Sequence, residues 1–179
     1  TGKSATGEGT KFQDVNLLTG VRKNAFVGDG ESTAFQLDTE EFDPDYIVRA
    51  WVNDEETVKF STDPMRGIIT FETAPSIPDT IGQTNVIIQF RKTIKGYRDR
   101  ITKCTMVEQF DNRVFFSGNP DYPNVLFHSA LEDPTYCSDL DYYEEGNDDS
   151  KITSIVTGNN ALWVLKEPSQ SNTTIFYHN

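Results

Sequence analysis

Two histidines, His128 and His178, are the side chains of this sequence best suited to acid–base chemistry near neutral pH. Neither belongs to a nucleophile-elbow motif. His128 alternates with Phe127 and Ser129 in a strand-like run, which favours a half-buried structural role over that of a general base. We therefore assign no catalytic residue and no cofactor, and we expect a protein that is not an enzyme.

Carboxylates are concentrated between Glu132 and Asp149, where the chain has 8 acidic residues and no Lys or Arg. Calcium takes carboxylate and carbonyl oxygens in loops. The candidate ligands are Asp139, Asp141, Glu144 and Glu145. The spacing fails the EF-hand pattern, since Tyr143 stands where a third Asp or Asn belongs. A solvated acidic loop is the favoured interpretation, and glycosidase chemistry from paired carboxylates is the weakest one.

Basic residues cluster in one segment near the middle of the chain. Its candidate interaction residues are Arg91, Lys92, Lys95, Arg98 and Arg100. One interpretation is a patch that meets an acidic subunit surface or DNA. The favoured alternative is an exposed strand edge on which Lys and Arg discourage unwanted pairing.

The two cysteines, Cys104 and Cys137, have no Cys or His neighbours at metal-ligand spacing, so we expect free, buried thiols rather than a disulfide. The 179 residues carry a net charge of -12, which opposes general attraction to nucleic acid. Aromatic residues make up 12% of the chain and argue for a folded core. No apolar run is long enough to span a membrane, so no membrane partner is expected.

Period-two alternation and turn residues predict a β protein. The first group of predicted strands is 34–37, 47–52, 57–60, 67–71 and 84–90. The second group is 106–110, 113–117, 125–129, 152–157, 161–166 and 174–177. Asn159 and Asn160 join two of these runs as a hairpin turn, and strand 174–177 is expected to complete a four-stranded antiparallel sheet of the kind found in propeller blades. Trp51 and Trp163 are predicted to be core residues.

Two parts of the sequence resemble bacteriophage virion proteins. The run Gly28-Asp29-Gly30, with Ser32-Thr33 after it and Gly67-Ile68-Ile69-Thr70-Phe71 further on, resembles a small β-sandwich module of such proteins. Asn112-Arg113-Val114-Phe115-Phe116 and Gly118-Asn119-Pro120, followed by Asp133-Pro134-Thr135-Tyr136, resemble the propeller proteins of the head-to-tail connection, the DNA-stabilisation or tail-hub group.

The resemblance implies an all-β chain in which a small antiparallel β-sandwich is inserted into a partial β-propeller-like region. The predicted divisions are an N-terminal arm with a first propeller-like segment at 1–25, the sandwich at 26–92 and a propeller-like antiparallel region at 93–179. The chain is expected to be part of a longer one, because a full propeller needs more blades.

The implied function is a structural component of a phage or prophage virion at the head-to-tail connection or tail hub. Its expected partners are other neck or tail subunits, with homo-oligomers in the assembled particle. Nucleic-acid contact is only weakly supported. The alternative is a receptor- or glycan-binding module of a tail appendage, with an aromatic cleft at the sandwich loops. The predicted burial of both tryptophans favours the structural role.

Overall fold

A computed structural model describes residues 11–12, 14–80, 82–146, 149–168 and 174–179. Over these residues the chain is nearly all-β, with 15 strands and one short helix. No helix of the described part is long and apolar enough to cross a membrane. Residues 1–10 of the predicted arm lie outside the described residues.

The chain divides into two compact units. The first comprises Gly20–Thr93 with the segment up to Asp14, and the second comprises Val15–Thr19 with Ile94–Asn179. For comparison, the sequence placed the sandwich at 26–92. The strand that precedes residue 26 belongs to the sandwich because it pairs along its whole length with the last strand of that unit.

The first unit consists of two antiparallel sheets. Its strands are β1 Lys11–Phe12, β2 Val21–Phe26, β3 Ala34–Gln36, β4 Arg49–Val52, β5 Glu55–Thr57, β6 Phe60–Asp63, β7 Ile68–Phe71 and β8 Val86–Arg91. One sheet has the order β1-β2-β8-β4-β5, and the other has the order β3-β7-β6. Alternation on β8 places Val86, Ile88 and Phe90 in the core and the intervening residues outside.

Phenylalanine fills the space between these sheets. Phe26 and Phe35 meet edge to face with ring centroids 5.3 Å apart, and Phe35 meets Phe71 at 5.5 Å. Ile69 and Ile88 are fully buried beside them. The apolar residues in and around the two segments that resemble the virion sandwich module therefore form the core of an antiparallel sandwich, as the sequence predicted.

The second unit also has two sheets, each formed by strands that follow one another in the chain. Its elements are α1 Tyr97–Thr102, β9 Met106–Phe110, β10 Arg113–Ser117, β11 Val125–His128, β12 Tyr142–Glu144, β13 Ile152–Gly158, β14 Ala161–Lys166 and β15 Ile175–His178. The sheet orders are β12-β11-β10-β9 and β13-β14-β15. Each is a meander, and none of the described sheets closes into a barrel.

An apolar cluster joins the two meanders. Phe115 and Leu126 of the four-stranded sheet pack with Ile155, Leu162 and Val164 of the three-stranded sheet. A second cluster in this unit surrounds Leu17. Asn16 holds that segment in place, because its side-chain oxygen accepts the backbone N–H of Leu18 and its side-chain nitrogen donates to the carbonyl of Thr135.

Three hairpins have two-residue turns of left-handed residues. They are Asn53-Asp54 between β4 and β5, Asp111-Asn112 between β9 and β10, and Asn159-Asn160 between β13 and β14. Asn and Asp adopt this conformation at lower cost than other residues with a Cβ atom. The turn predicted at Asn159-Asn160 is thus confirmed.

Several predicted elements differ from the structure. The strand predicted at 57–60 is wrong, because Val58 and Lys59 lie between the end of β5 and the start of β6. Helix α1 was not predicted, and neither were strands β1, β2, β5, β6 and β12. The sheet that contains β15 has three strands rather than four over the described residues.

The predicted burial of the two tryptophans is also wrong, since both rings are half-buried on the outer faces of their sheets. Arg49 lies 4.9 Å from the centroid of the Trp51 ring. The Trp163 indole donates to the carbonyl of Gly158 and packs against Tyr177. The alternation of β4 and β14 decides these positions, because the neighbouring residues Ala50 and Leu162 occupy the inner face instead.

Candidate functional site

The sheet of strands β13, β14 and β15 is apolar on both of its faces. Ile155, Leu162 and Val164 point into the unit, where they are buried. Residues that pair across antiparallel strands share a face. The opposite face therefore carries two rows, which we call the outer face: Val156–Trp163–Tyr177 and Ser154–Leu165–Ile175.

The outer face is accessible and carries no charged side chain in these rows. Val156, Ile175 and Tyr177 are 47%, 53% and 61% exposed. A scattered exposed apolar residue is ordinary, but adjacent ones on a flat sheet form a patch that marks a protein contact. In a chain of net charge -12, two uncharged rows are suited to packing against another apolar surface.

Two hairpin turns of the same unit border a shallow, open hollow of about 590 Å³. Asp111 and Asn112 line one side, and Asn159 and Asn160 line the other. The hydroxyl of Thr157 donates to the carbonyl of Gln109 at 3.0 Å, which ties the two hairpins together. A second hollow of about 300 Å³ shares Phe110 and Asp111 with the first. We call the two hollows together the turn groove.

The second hollow contains charged and aromatic side chains. Its lining includes Arg113, Tyr143, Tyr177 and His178, with Phe115 at its buried side. Arg113 Nη1 lies 3.2 Å from His128 Nδ1. This arrangement combines a guanidinium, phenol rings and an imidazole next to the carboxamides of the turns.

Both histidines lie in one stack of rings. The ring centroids of His128 and Tyr143 are 5.1 Å apart, and those of Tyr143 and His178 are 4.7 Å apart. His178 Nε2 lies 2.6 Å from Oε1 of Glu145, whose carboxylate is almost completely buried. Neither imidazole meets a free nucleophile here, since the hydroxyl of Ser129 donates to the carbonyl of Ala130.

The four candidate calcium ligands do not form a common cluster. Over the described residues, no group of three or more His, Cys, Asp or Glu side chains is placed to bind a metal ion. Glu144 is exposed on β12, whereas Glu145 is buried against His178. Asp139 and Asp141 lie in the loop before β12.

The five basic candidate residues belong to both units. In the first unit, Arg91 binds Asp43, and Lys92 Nζ donates to the carbonyl of Glu40. Burial alone would raise the pKa of Asp43, but hydrogen bonds from Thr93 and Arg91 outweigh it and lower that pKa. These two cations are therefore engaged in holding a loop of the sandwich.

In the second unit, Arg100 lies over the rings of Tyr97 and Tyr122. Lys95 and Arg98 are exposed next to or within α1. This helix was not predicted, because it has only 6 residues and a single buried apolar residue, Ile101. The basic segment is therefore not the exposed edge strand that was favoured from the sequence.

The two cysteines are free thiols in one apolar cluster of the second unit. Burial raises the pKa of Cys104 and of Cys137 to about 11. The sulfur of Cys104 also donates to the carbonyl of Arg100 at 3.2 Å. Thiols of this kind stay protonated at neutral pH and act as small apolar residues.

No protein-family model, curated protein or solved structure matches this chain.

The residues of these two surfaces were only partly visible in the sequence. Asn159 and Asn160 were recognised as a turn but not as part of a groove, and Asp111 with Asn112 was not singled out. Their two-residue spacing between strands was the available signal. Which turns come together depends on how the two meanders pack, which local patterns do not encode.

Proposed function

We propose that this chain is a structural component of a phage or prophage virion, at the head-to-tail connection or tail hub, and that it works through contacts between subunits. The order of its motifs supports the virion setting, as described above. Two consecutive antiparallel meanders that share an apolar cluster support a propeller-like setting, since propeller blades are also antiparallel sheets that pack on one another. The observation that carries the proposal is the outer face.

The occupant that fits the outer face is an apolar sheet of a neighbouring subunit. The same sheet already packs its inner face against another sheet through aliphatic and aromatic side chains. The outer rows offer the same types of side chain on an equally regular surface. Packing one sheet on another buries such rows from water, which is favourable in proportion to the apolar area removed.

Immuno-electron microscopy of purified virions, with an antibody raised against this chain, tests the location. Label at the junction between head and tail is the expected result. Label at the distal tip of the tail would favour the receptor-binding alternative, and particles without label would overturn the virion assignment.

Charge introduced on the outer face tests the contact itself. We expect the wild-type chain to self-associate at high protein concentration through this face, and the double variant Val156→Lys/Ile175→Lys to remain monomeric. Burying two ammonium groups in an apolar interface carries a large desolvation cost. Sedimentation velocity over a range of concentrations measures the difference.

The matched control is Val58→Lys, which adds a charge at a residue of the first unit that is 87% exposed. It should associate as the wild type does. Equal association of all three proteins would show that the outer face makes no contact.

A receptor-binding module of a tail appendage is the second candidate function. The turn groove favours it, because a concave surface with several converging polar groups is typical of a ligand site. The sequence placed such a site at the sandwich loops, whereas this groove lies in the second unit.

A further inference from the structure

The turn groove has one end lined by carboxamides. Asn112, Asn159 and Asn160 are exposed there, and their backbones are fixed by left-handed two-residue turns. A carboxamide both donates and accepts hydrogen bonds. A set of them matches a ligand rich in hydroxyl groups, since each hydroxyl also donates and accepts.

The other end of the groove is cationic and aromatic. Over the described residues, the Arg113 guanidinium has a single hydrogen-bonding contact, the 3.2 Å approach of Nη1 to His128. Its remaining N–H groups are thus available in a hollow that Tyr143 and Tyr177 also line.

The two ends are close enough to act on one ligand, because Phe110 and Asp111 line both hollows. The Asp111 carboxylate adds an acceptor between the amides and the guanidinium. The groove therefore has amides that can bind hydroxyl groups at one end and a guanidinium at the other, with one carboxylate between them.

We propose that the turn groove binds a short oligosaccharide that carries a carboxylate. The sugar hydroxyls bind the carboxamides of Asn112 and Asn160, and the carboxylate pairs with the guanidinium of Arg113. Arginine suits this role because its planar fork binds both oxygens of a carboxylate. An acidic peptide would use Arg113 but would have little use for the row of carboxamides.

This inference names the ligand of the second candidate function and rests on it. It does not depend on the subunit contact at the outer face, because that contact does not use Asn112, Asn160 or Arg113. A failed sugar titration would therefore overturn the ligand without touching the result of the sedimentation test.

The first experiment is a ¹H–¹⁵N correlation NMR titration of the whole chain with D-glucuronate, with D-glucose as the neutral match and the tripeptide Gly-Glu-Gly as the peptide match. We expect glucuronate to shift the amides of 109–113, 157–160 and 177–178. Glucose should bind about tenfold more weakly, as expected for the loss of one charge-assisted contact. In a parallel experiment on an array of acidic oligosaccharides, the protein should bind to the array. Free D-glucuronate should compete with that binding.

Variants that preserve the turns test the residues. Asn112→Gly/Asn160→Gly removes two carboxamides at positions where glycine readily adopts the left-handed backbone. It should fold normally and bind glucuronate about tenfold more weakly. Arg113→Gln should remove the preference for glucuronate over glucose. The control is Asp54→Gly, which makes the same kind of change in a hairpin turn of the first unit.

Three results would overturn the proposal. The first is that neither glucuronate nor any oligosaccharide on the array binds the protein. The second is binding that shifts amides elsewhere or that the Asn112→Gly/Asn160→Gly variant leaves unchanged. The third is tighter binding of Gly-Glu-Gly than of glucuronate, which would make the groove a peptide site.

Discussion

At the scale of single residues, Gly28 shows why the Gly-Asp-Gly run has its composition. A Cβ atom at this position would stand 2.5 Å from the carbonyl oxygen of Ser76, much closer than real contacts allow. The Gly28 N–H donates to the side chain of Asn85, which in turn donates to the same Ser76 carbonyl. The glycine is thus needed for close approach of two backbone segments.

The middle residue of the run folds the next turn. Asp29 Oδ1 accepts the backbone N–H groups of Glu31 and Ser32, and its second oxygen accepts the hydroxyl of Ser32. These hydrogen bonds lower the pKa of Asp29, and the bond from the Ser32 hydroxyl makes the largest contribution. Gly30 has a φ of +75°, which a residue with a Cβ atom adopts at a cost.

We predict that Gly28→Ala destabilises the protein by about 2 kcal/mol or more, since the added methyl group forces two backbone segments apart. Chemical denaturation followed by circular dichroism measures the change. Gly158→Ala is the matched control, because a Cβ atom there meets nothing within 4 Å. A similar loss in both variants would mean that backbone freedom, and not the approach to Ser76, is the cause.

At the scale of elements, the sequence identified six of the seven described strands of the second unit but only four of the eight in the first. Alternation is strong where one face of a sheet is buried. Strands β9, β10 and β14 have the bounds that the pattern predicted. Prediction failed where the pattern is weak. Strand β12 has three exposed residues and α1 has only one buried residue, so neither gives a periodic signal.

Strand β15 illustrates an attachment that no local pattern reveals. It pairs with β14, and its His178 reaches Glu145, which lies 33 positions earlier in the chain. The Tyr143 ring stacks on the same imidazole. Sequence alone gives no reason to join these residues, because their contact depends on the packing of both meanders.

We predict that Glu145→Ala destabilises the second unit by about 2 kcal/mol, because it removes the buried partner of His178. Glu144→Ala changes the exposed neighbour and should alter the free energy of unfolding by no more than about 0.5 kcal/mol. Denaturant titration measures both variants. If the two gave equal losses, net charge rather than the contact to β15 would account for the effect.

At the scale of the whole molecule, the chain has separate hydrophobic cores for its two units. The first core surrounds Phe35 and Ile88, and the main cluster of the second surrounds Leu126 and Leu162. The longer segment of the first unit, Gly20–Thr93, begins and ends at one place, since the Lys92 N–H donates to the carbonyl of Gly20. Adjacent ends are the geometry at which an inserted domain is tolerated.

We predict that damage to one core stays in its own unit. Phe35→Ala and Leu162→Ala each delete a fully buried side chain, at a cost of about 3 kcal/mol. In native-state hydrogen exchange, the first variant should speed exchange in β2 and β8 while β10 and β14 keep the protection of the wild type. Leu162→Ala should give the reverse pattern. Faster exchange in both units of either variant would show that the two cores unfold as one cooperative structure.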